Sequence, residues 1–554
     1  MKPKEIQQKE AQFELIEEDD DMPPDSEAPV FEDAVLAEEL LGIKVLSNAA
    51  DIRPYGSPVT GLDVDPSLPL ANDPRFRAAL DPYFSQPLTL TTTFEIRRDL
   101  ADFYRKHDYP VTRIIVPEQD ITSGTLQVVV LIGKRGNITV EGNKYFSAKP
   151  FRNTIRLRMG EPIQARQLLS DLEWMNQNPF RSASLVYGKG DAEGMTDIHL
   201  RVQDRFPVRV FAGYENTGND ITGDERWFIG GNWGNAFNLD HQFSYQFSTS
   251  SDFELSRSHA ASYLIPLPWR HTLNIYGSIT ETNADLPAPL DQEGTSWQTS
   301  AIYDMPLPPL EKLKHSFFLG FDFKQTDSVI DTLGVPTNVT LTDVLQFSMG
   351  YQLNYPDPWG NTYLGGTFYI APGDWTDNSR TPKYQASRAG SQTEYHYTRL
   401  NLTRSTTLPW DFTWILRGQA QFASDNLLAS EQLGLGGTYT VRGYEEREVN
   451  GDEGYFFSTE LRTASFRPLQ WVGVKKIEDN LQLLGFWDWG QVSNIALLAG
   501  EDAHAIVSSV GVGARYTINP YLSFRFDYGW QLTDSGMSDR GESGRGHMGL
   551  TLSY

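Results

Sequence analysis

Tyr521-Leu-Ser-Phe-Arg-Phe-Asp-Tyr-Gly-Trp530 is the stretch on which the fold turns. Successive side chains of a strand point to opposite sides. Leu522, Phe524, Phe526, Tyr528 and Trp530 therefore share one face, while Ser523, Arg525, Asp527 and Gly529 share the other. One face is apolar and aromatic and the other carries charge, a division that suits a wall between lipid and water. It recurs upstream, where Val510, Val512 and Ala514 oppose Gly511, Gly513 and Arg515. The chain also ends on it: in His547-Met-Gly-Leu-Thr-Leu-Ser-Tyr554, Met548, Leu550, Leu552 and Tyr554 lie on one face.

Outward from these strands, period-two alternation fills everything after Pro207 and no helical period remains. Sixteen strands begin near Arg209, Arg226, Leu239, Glu254, Trp269, Thr295, Leu313, Leu341, Trp359, Thr393, Phe412, Gly454, Asn480, Ala505, Tyr521 and Arg545. Each strand with its connection takes about 22 residues, enough for the roughly 9–11 that cross a bilayer. The second, fourth, sixth, eighth, tenth and fourteenth connections mostly centre on short turns such as Pro266-Leu-Pro268-Trp269, Pro306-Leu-Pro308-Pro309, Pro356-Asp-Pro358-Trp359, Pro409-Trp410 and Asn519-Pro520. Odd-numbered connections include the long polar segments 373–392 and 424–453. A soluble β-sandwich gives no such parity. The fold expected over 207–554 is a transmembrane β-barrel of sixteen antiparallel strands, with a long sixth loop over 424–453.

Composition narrows the classes. No run of about 18 apolar residues occurs, which excludes a helical membrane span and leaves strands untouched. The absence of cysteine removes disulfides, thiol catalysis and Cys-ligated metals. A formal charge of −25 repels nucleic-acid phosphates, so no nucleic acid is expected as partner. The nine histidines are scattered without H-E-x-x-H spacing, and no G-x-S-x-G occurs. Gly434-Leu-Gly436-Gly437 lacks the Lys-Ser/Thr of a phosphate loop. No enzyme, cofactor or metal is expected. Met1-Lys2-Pro3-Lys4 leads into Glu- and Gln-rich sequence without an apolar core, the look of a mature form rather than a signal peptide.

Residues 1–39 read as an acidic, flexible arm: Glu17-Glu18-Asp19-Asp20-Asp21 repel one another and Pro23-Pro24 stops any helix. Ile6, Phe13, Leu15 and Ile16 leave open a small plug or docking helix. Two α+β modules follow, each ordered β-α-α-β-β. In the first, over 40–134, a strand starts at Gly42 and Asp73-Pro74 starts a helix. Thr92-x-x-Glu95 reads as the capping box of a second helix carrying Ile96, Leu100, Phe103 and Tyr104. Strands at 111–116 and 126–132 close that module. The second, over 135–206, has a strand at 135–143, helices at 150–158 and 163–177, and strands at 182–187 and 196–202.

This tandem, with V-P-E-Q-D-I at Val116–Ile121 and then G-T-L-Q-V-V-V, resembles the two POTRA domains of two-partner-secretion outer-membrane transporters. Those are the haemolysin secretion/activation proteins of the POTRA-plus-barrel superfamily. Arg209–Asn216 and Thr222-Gly223 are similar to the first strand and loop of their barrels, and the likeness covers about residues 40–554. Met1–Phe31 does not align with that family's plug helix. Thr438-Tyr-Thr-Val-Arg-Gly-Tyr444 falls in the sixth loop, and its Val441, Arg442, Gly443 and Tyr444 resemble the family's V-R-G-[YF] motif. Phe486, Asp488 and Gly490 resemble the matching F-x-D-x-G wall motif, and alternation turns all three to the lumen.

The resemblance implies that the sixth loop folds into the lumen with Arg442 on Asp488. Closing about 30 residues costs roughly 3 kcal/mol. One charge-assisted hydrogen bond returns about 1.5–3 kcal/mol. A releasable conformational latch and a permanent brace both remain open. The resemblance also implies POTRA domains in the periplasm of a bacterial outer membrane, where they bind a secreted, β-helical exoprotein. The barrel would sit in outer-membrane lipid as a monomer, inserted by the barrel assembly machinery through a terminal signal of Leu550, Leu552 and Tyr554. An assembly factor for other barrels and a passive porin are the alternatives.

Overall fold

The computed structural model describes residues 14–15, 34–284, 290–332, 335–497, 503–536 and 543–554. The chain divides into two compact units, residues 1–206 and 207–554. The acidic run Glu17–Asp21 and the apolar positions Ile6, Phe13 and Ile16 lie outside the described residues.

Among the described residues the first unit holds two four-stranded sheets and one two-stranded sheet. One runs in the order Gly61–Val64, Gly42–Leu46, Thr125–Ile132, Thr112–Ile115. Phe76 and Leu80 from helix Pro74–Leu80, and Ile96, Leu100, Phe103 and Tyr104 from helix Leu90–Lys106, are buried against its Ile43, Val45, Val128 and Val130. Asp73 caps the first helix, its carboxylate accepting from the Arg75 N–H. The second helix starts earlier than its sequence suggests: the cap is Thr89, whose hydroxyl accepts from the Thr92 N–H. The capping box expected at Thr92 and Glu95 is therefore corrected, because Thr89, three residues upstream, takes the Thr92 N–H and makes Thr92 part of the first turn. Gly61–Val64 is an added parallel strand that the sequence order lacked, with Leu62 and Val64 packed on the core. Val35–Ala37, read from sequence as arm, pairs with Leu88–Thr89.

The second sheet holds Lys134–Glu141, Arg181–Lys189 and Met195–Asp204, with helices Ala148–Thr154 and Ala165–Met175 between the first two strands. That is β-α-α-β-β. Phe151, Leu168, Leu172 and Met175 meet Leu185, Tyr187, Ile198 and Leu200 in its core. Glu14–Leu15 adds a two-residue parallel strand beside Val186 and Tyr187.

The second unit is a closed barrel of sixteen antiparallel strands. They are β1 Val208–Glu215, β2 Arg226–Ala236, β3 His241–Thr249, β4 Ser256–Pro266, β5 Thr272–Ala284, β6 Leu290–Pro306, β7 Lys314–Thr332 and β8 Val335–Asp357. The ring continues with β9 Gly360–Pro372, β10 Glu394–Thr407, β11 Thr413–Ala423, β12 Glu453–Arg462, β13 Asp479–Ser493, β14 His504–Ile518, β15 Leu522–Gln531 and β16 Gly544–Ser553. Fourteen start within three residues of the positions read from alternation, while β6 and β8 start five and six residues earlier than read. The faces follow the pleat: Val510, Val512, Phe526 and Trp530 are exposed on the outer wall, while Asp527 is buried in the lumen. β1 meets β16 over Phe211–Glu215 and Gly549–Ser553, closing the ring.

Candidate functional site

The sixth loop, residues 424–452, joins β11 to β12 and is built as a hairpin within the barrel. Leu433–Leu435 pairs antiparallel with Val449–Gly451. Gly436 and Gly437, at φ 109° and 94°, turn the chain out of this stem. A Cβ on Gly436 would lie 2.3 Å from the Glu445 carbonyl oxygen, so only glycine fits there. The Thr440 hydroxyl donates to the Gly436 carbonyl at 2.8 Å and tightens the tip that holds Val441–Tyr444. Leu433, Leu435, Val441, Tyr444 and Val449 bury against Phe456 of β12, Val492 of β13 and Val507 of β14. The loop thus carries a small apolar core of its own onto the lumen wall.

Arg442 is 1% exposed, and its guanidinium meets three carboxylates from three strands. It binds Asp488 of β13 in a fork, Nε to Oδ2 at 2.7 Å and Nη2 to Oδ1 at 3.0 Å, and its backbone N–H adds a bond to Oδ2 at 3.2 Å. Nη1 donates to Glu460 of β12 at 2.7 Å and to Asp527 of β15 at 3.4 Å. The Phe486 ring lies 3.4 Å from the guanidinium carbon. Burial works against the charge, but Asp488, then Glu460 and Asp527, outweigh it and hold Arg442 cationic. The acidic wall has cations of its own. Arg515 pairs with Asp527 at 2.8 Å, Arg462 with Glu460 at 2.6 Å, and Arg417 lies 3.9 Å from Glu460. If Arg442 leaves, three carboxylates still face three arginines, so its departure strands no net charge in the wall.

Gly443 and Tyr444 complete the seat. The Gly443 N–H donates to Nε2 of His547 at 2.8 Å, and its carbonyl accepts from Gln531 at 2.7 Å. Its φ is 95°, and a Cβ on Gly529 of β15 would lie 2.8 Å from the Arg442 carbonyl and the Gly443 Cα. The close backbone approach between loop and wall is made at Gly529, whereas Gly490 receives the Leu435 side chain, 2.6 Å from where its Cβ would sit. The buried Tyr444 hydroxyl lies 2.6 Å from the Thr533 carbonyl and 2.8 Å from that of Ser508. Gly529→Val should unseat the tip while the barrel still folds. Trypsin cleavage at Arg442 and Arg447 on intact, SDS-resistant barrels would then appear, and an unchanged digest would show that the tip does not rest on this glycine.

The base of the same loop has a second anchor that no motif announced. Glu431 is fully buried; Lys324 of β7 donates to it at 2.8 Å, Tyr397 of β10 at 2.8 Å and Gln346 of β8 at 3.1 Å. Burial raises the Glu431 carboxyl, but Lys324, then Tyr397 and Arg399, outweigh burial and hold it below the ordinary carboxylate range. A depressed carboxyl keeps its contribution above its unfolded pKa and loses it only as pH falls through the folded value. The base is therefore tied throughout the neutral range. β7 and β15 lie eight strands apart in a ring of sixteen, so the loop spans the lumen from Lys324 on one side to Asp527 on the other.

Among the described residues one carboxylate group is tight enough to hold a cation, Asp220, Asp224 and Glu445. Arg545 already pairs there with Asp224 at 2.7 Å and Glu445 at 2.8 Å. At the chain end, Leu552 and Tyr554 are exposed on the outer face and Leu550 is half-buried.

A closed sixteen-stranded barrel, charged within and aromatic without, preceded by α+β modules, defines an outer-membrane β-barrel protein with its modules in the periplasm. Residues 194–516 match the family described as haemolysin secretion/activation protein ShlB/FhaC/HecB, and residues 57–133 match the ShlB-type POTRA domain. The chain belongs to this haemolysin secretion/activation family of transporters. It is 25% identical over 416 residues to an outer membrane transporter CdiB of Escherichia coli, covering 71% of this chain and 66% of the relative's length. It is 22% identical over 394 residues to the heme/hemopexin transporter protein HuxB of Haemophilus influenzae, covering 69% of this chain and 67% of that one. The solved structure of CdiB from Escherichia coli shares the fold at a TM-score of 0.73 and 17% identity, covering 97% of this chain and 93% of that one.

Proposed function

We propose that the chain captures an unfolded, β-rich exoprotein with its POTRA domains and passes it through the barrel to the cell surface. The observation that carries this reading is the Arg442 seat: a loop lies across the lumen, buried on a cluster whose charges stay balanced when the loop withdraws. A passive pore has no use for such a seat. The reading makes Val441–Tyr444 a releasable latch on Phe486, Asp488 and Gly490 rather than a fixed brace. Capture would use the outer strands of the two sheets, Thr112–Ile115 of the first module and, past its start that residues 160–162 already pair, Lys134–Glu141 of the second, to which an extended segment can add. With no nucleotide motif in the chain, folding of the exoprotein outside supplies the direction. The barrel acts as a monomer, inserted by the assembly machinery through Leu550, Leu552 and Tyr554.

The test is reconstitution. The chain is coexpressed in a heterologous outer membrane with a secreted, β-helical protein of the same genome, and the medium is probed for that protein. Exoprotein should accumulate outside only when the chain is present. Retention in the periplasm, together with new barrels appearing in the membrane, would favour an assembly factor, a reading that the short β1–β16 seam of Phe211–Glu215 would serve.

A further inference from the structure

Away from Arg442, one buried carboxylate gathers three loops. Asp452 ends the sixth loop and is fully buried. Its Oδ1 accepts from the Leu427 N–H at 2.9 Å and from Gln432 at 3.2 Å, both in the sixth loop. Its Oδ2 accepts from the Ile495 N–H of the seventh loop at 3.1 Å. Arg388 of the fifth loop forks onto both oxygens, with Nη2 at 3.1 Å from Oδ2. The same Nη2 donates to Asn494 of the seventh loop at 3.0 Å, and Asn426 of the sixth exchanges two hydrogen bonds with the Ala496 backbone. Beneath this point, Tyr384 of the fifth loop and Leu427 and Leu428 of the sixth are buried together. They pack on Val344, Ala371, Tyr395 and Tyr397 of the β8–β10 wall.

We infer that Asp452 is a clasp that closes the surface mouth of the lumen by binding the fifth, sixth and seventh loops to one another, and that it must open for a polypeptide to pass. The inference rests on the transport reading. Withdrawal of Arg442 frees only the tip of the sixth loop. Its base stays tied to the fifth loop through Arg388 and to the seventh through Ile495 and Asn426. Asp452 loses its countercharge if the fifth loop takes Arg388 away, and loses buried hydrogen bonds if the sixth or seventh loop takes Leu427, Gln432 or Ile495 away, so the loops hold as a set and part as a set.

The chain has no cysteine, so a paired substitution supplies the only thiols. Ser391 of the fifth loop and Asn426 of the sixth are bridge partners, within reach of a disulfide. Oxidised S391C/N426C should export about tenfold less exoprotein or worse, with reductant restoring export and each single variant unaffected by oxidant. Full export with the bond formed, read as a mobility shift on a non-reducing gel, would overturn the clasp. A second measurement needs no exoprotein. Asp452→Asn barrels in planar bilayers should conduct severalfold more than the parent, and unchanged conductance would equally overturn it. Should Asp452→Asn raise conductance while the parent exports nothing, the clasp stands and the transport reading fails.

Discussion

Arg442→Ala should abolish export while the barrel still inserts and stays resistant to SDS. The side chain supplies a two-pronged bond to Asp488, a bond to Glu460 and contact with the Phe486 ring. Losing these three charge-assisted hydrogen bonds, at about 1.5–3 kcal/mol each, costs about 4–5 kcal/mol even at the low end. That exceeds the roughly 3 kcal/mol needed to close a loop of this length, so the seated state ceases to dominate. The tip, still carrying apolar Val441 and Tyr444, then occupies the passage without a fixed place. The wall does not suffer with it, because Asp488, Glu460 and Asp527 retain Arg417, Arg462 and Arg515 nearby. Export should fall by about 100-fold or more, to background in an immunoblot, the population ratio that such an energy sets. Immunoblots of the medium and heat-modifiable mobility of the barrel give the two readouts. Export at the parent level would sink the latch; loss of the folded barrel itself would make Arg442 a brace.

The barrel was legible because alternation is a one-dimensional signal. Asp527 and Gly529 fall on the lumen face of β15 by parity alone. Parity also turns Asp488 inward, and the long loop around Arg442 could be counted to its place. What parity leaves out is the height at which one strand meets the next. Ser458 stands opposite Asp488, Asp488 opposite Ser509, and Ser509 opposite Gln531. That register brings Glu460, Asp527, Gln531 and His547 to Arg442 and Gly443, and it is set by sixteen pairings at once rather than by any single stretch. Glu431 carries no sequence signal for a related reason: its partners Lys324, Gln346 and Tyr397 lie in three strands 107, 85 and 34 residues before it. In the first module, Gly61–Val64 is too short to show a period, and its pairing with Gly42–Leu46 is visible only in three dimensions.

Phe76→Ala should remove exoprotein capture and leave the barrel untouched. Phe76 is 1% exposed and sits edge-on to Phe103 at 5.1 Å and to Tyr104 at 5.8 Å, joining the two helices of the first module over its sheet. Truncating a buried phenylalanine costs about 3–5 kcal/mol. Small domains have only about 5–15 kcal/mol in all, and a module of this size stands toward the lower end. Most of the stability is therefore lost, and with the sheet goes the ordered edge at Thr112–Ile115 that an extended segment would join. The barrel is a separate compact unit, so its fold should persist. Limited proteolysis should show the module cut within residues 34–132 while residues 207–554 remain intact, and pull-down with the exoprotein's N-terminal segment should fail. Phe76→Leu, which keeps most of the apolar volume, should restore both. Capture that survives in a Phe76→Ala protein whose first module is demonstrably cut would remove that module from the binding site and leave Lys134–Glu141, the edge of the second sheet, to carry it.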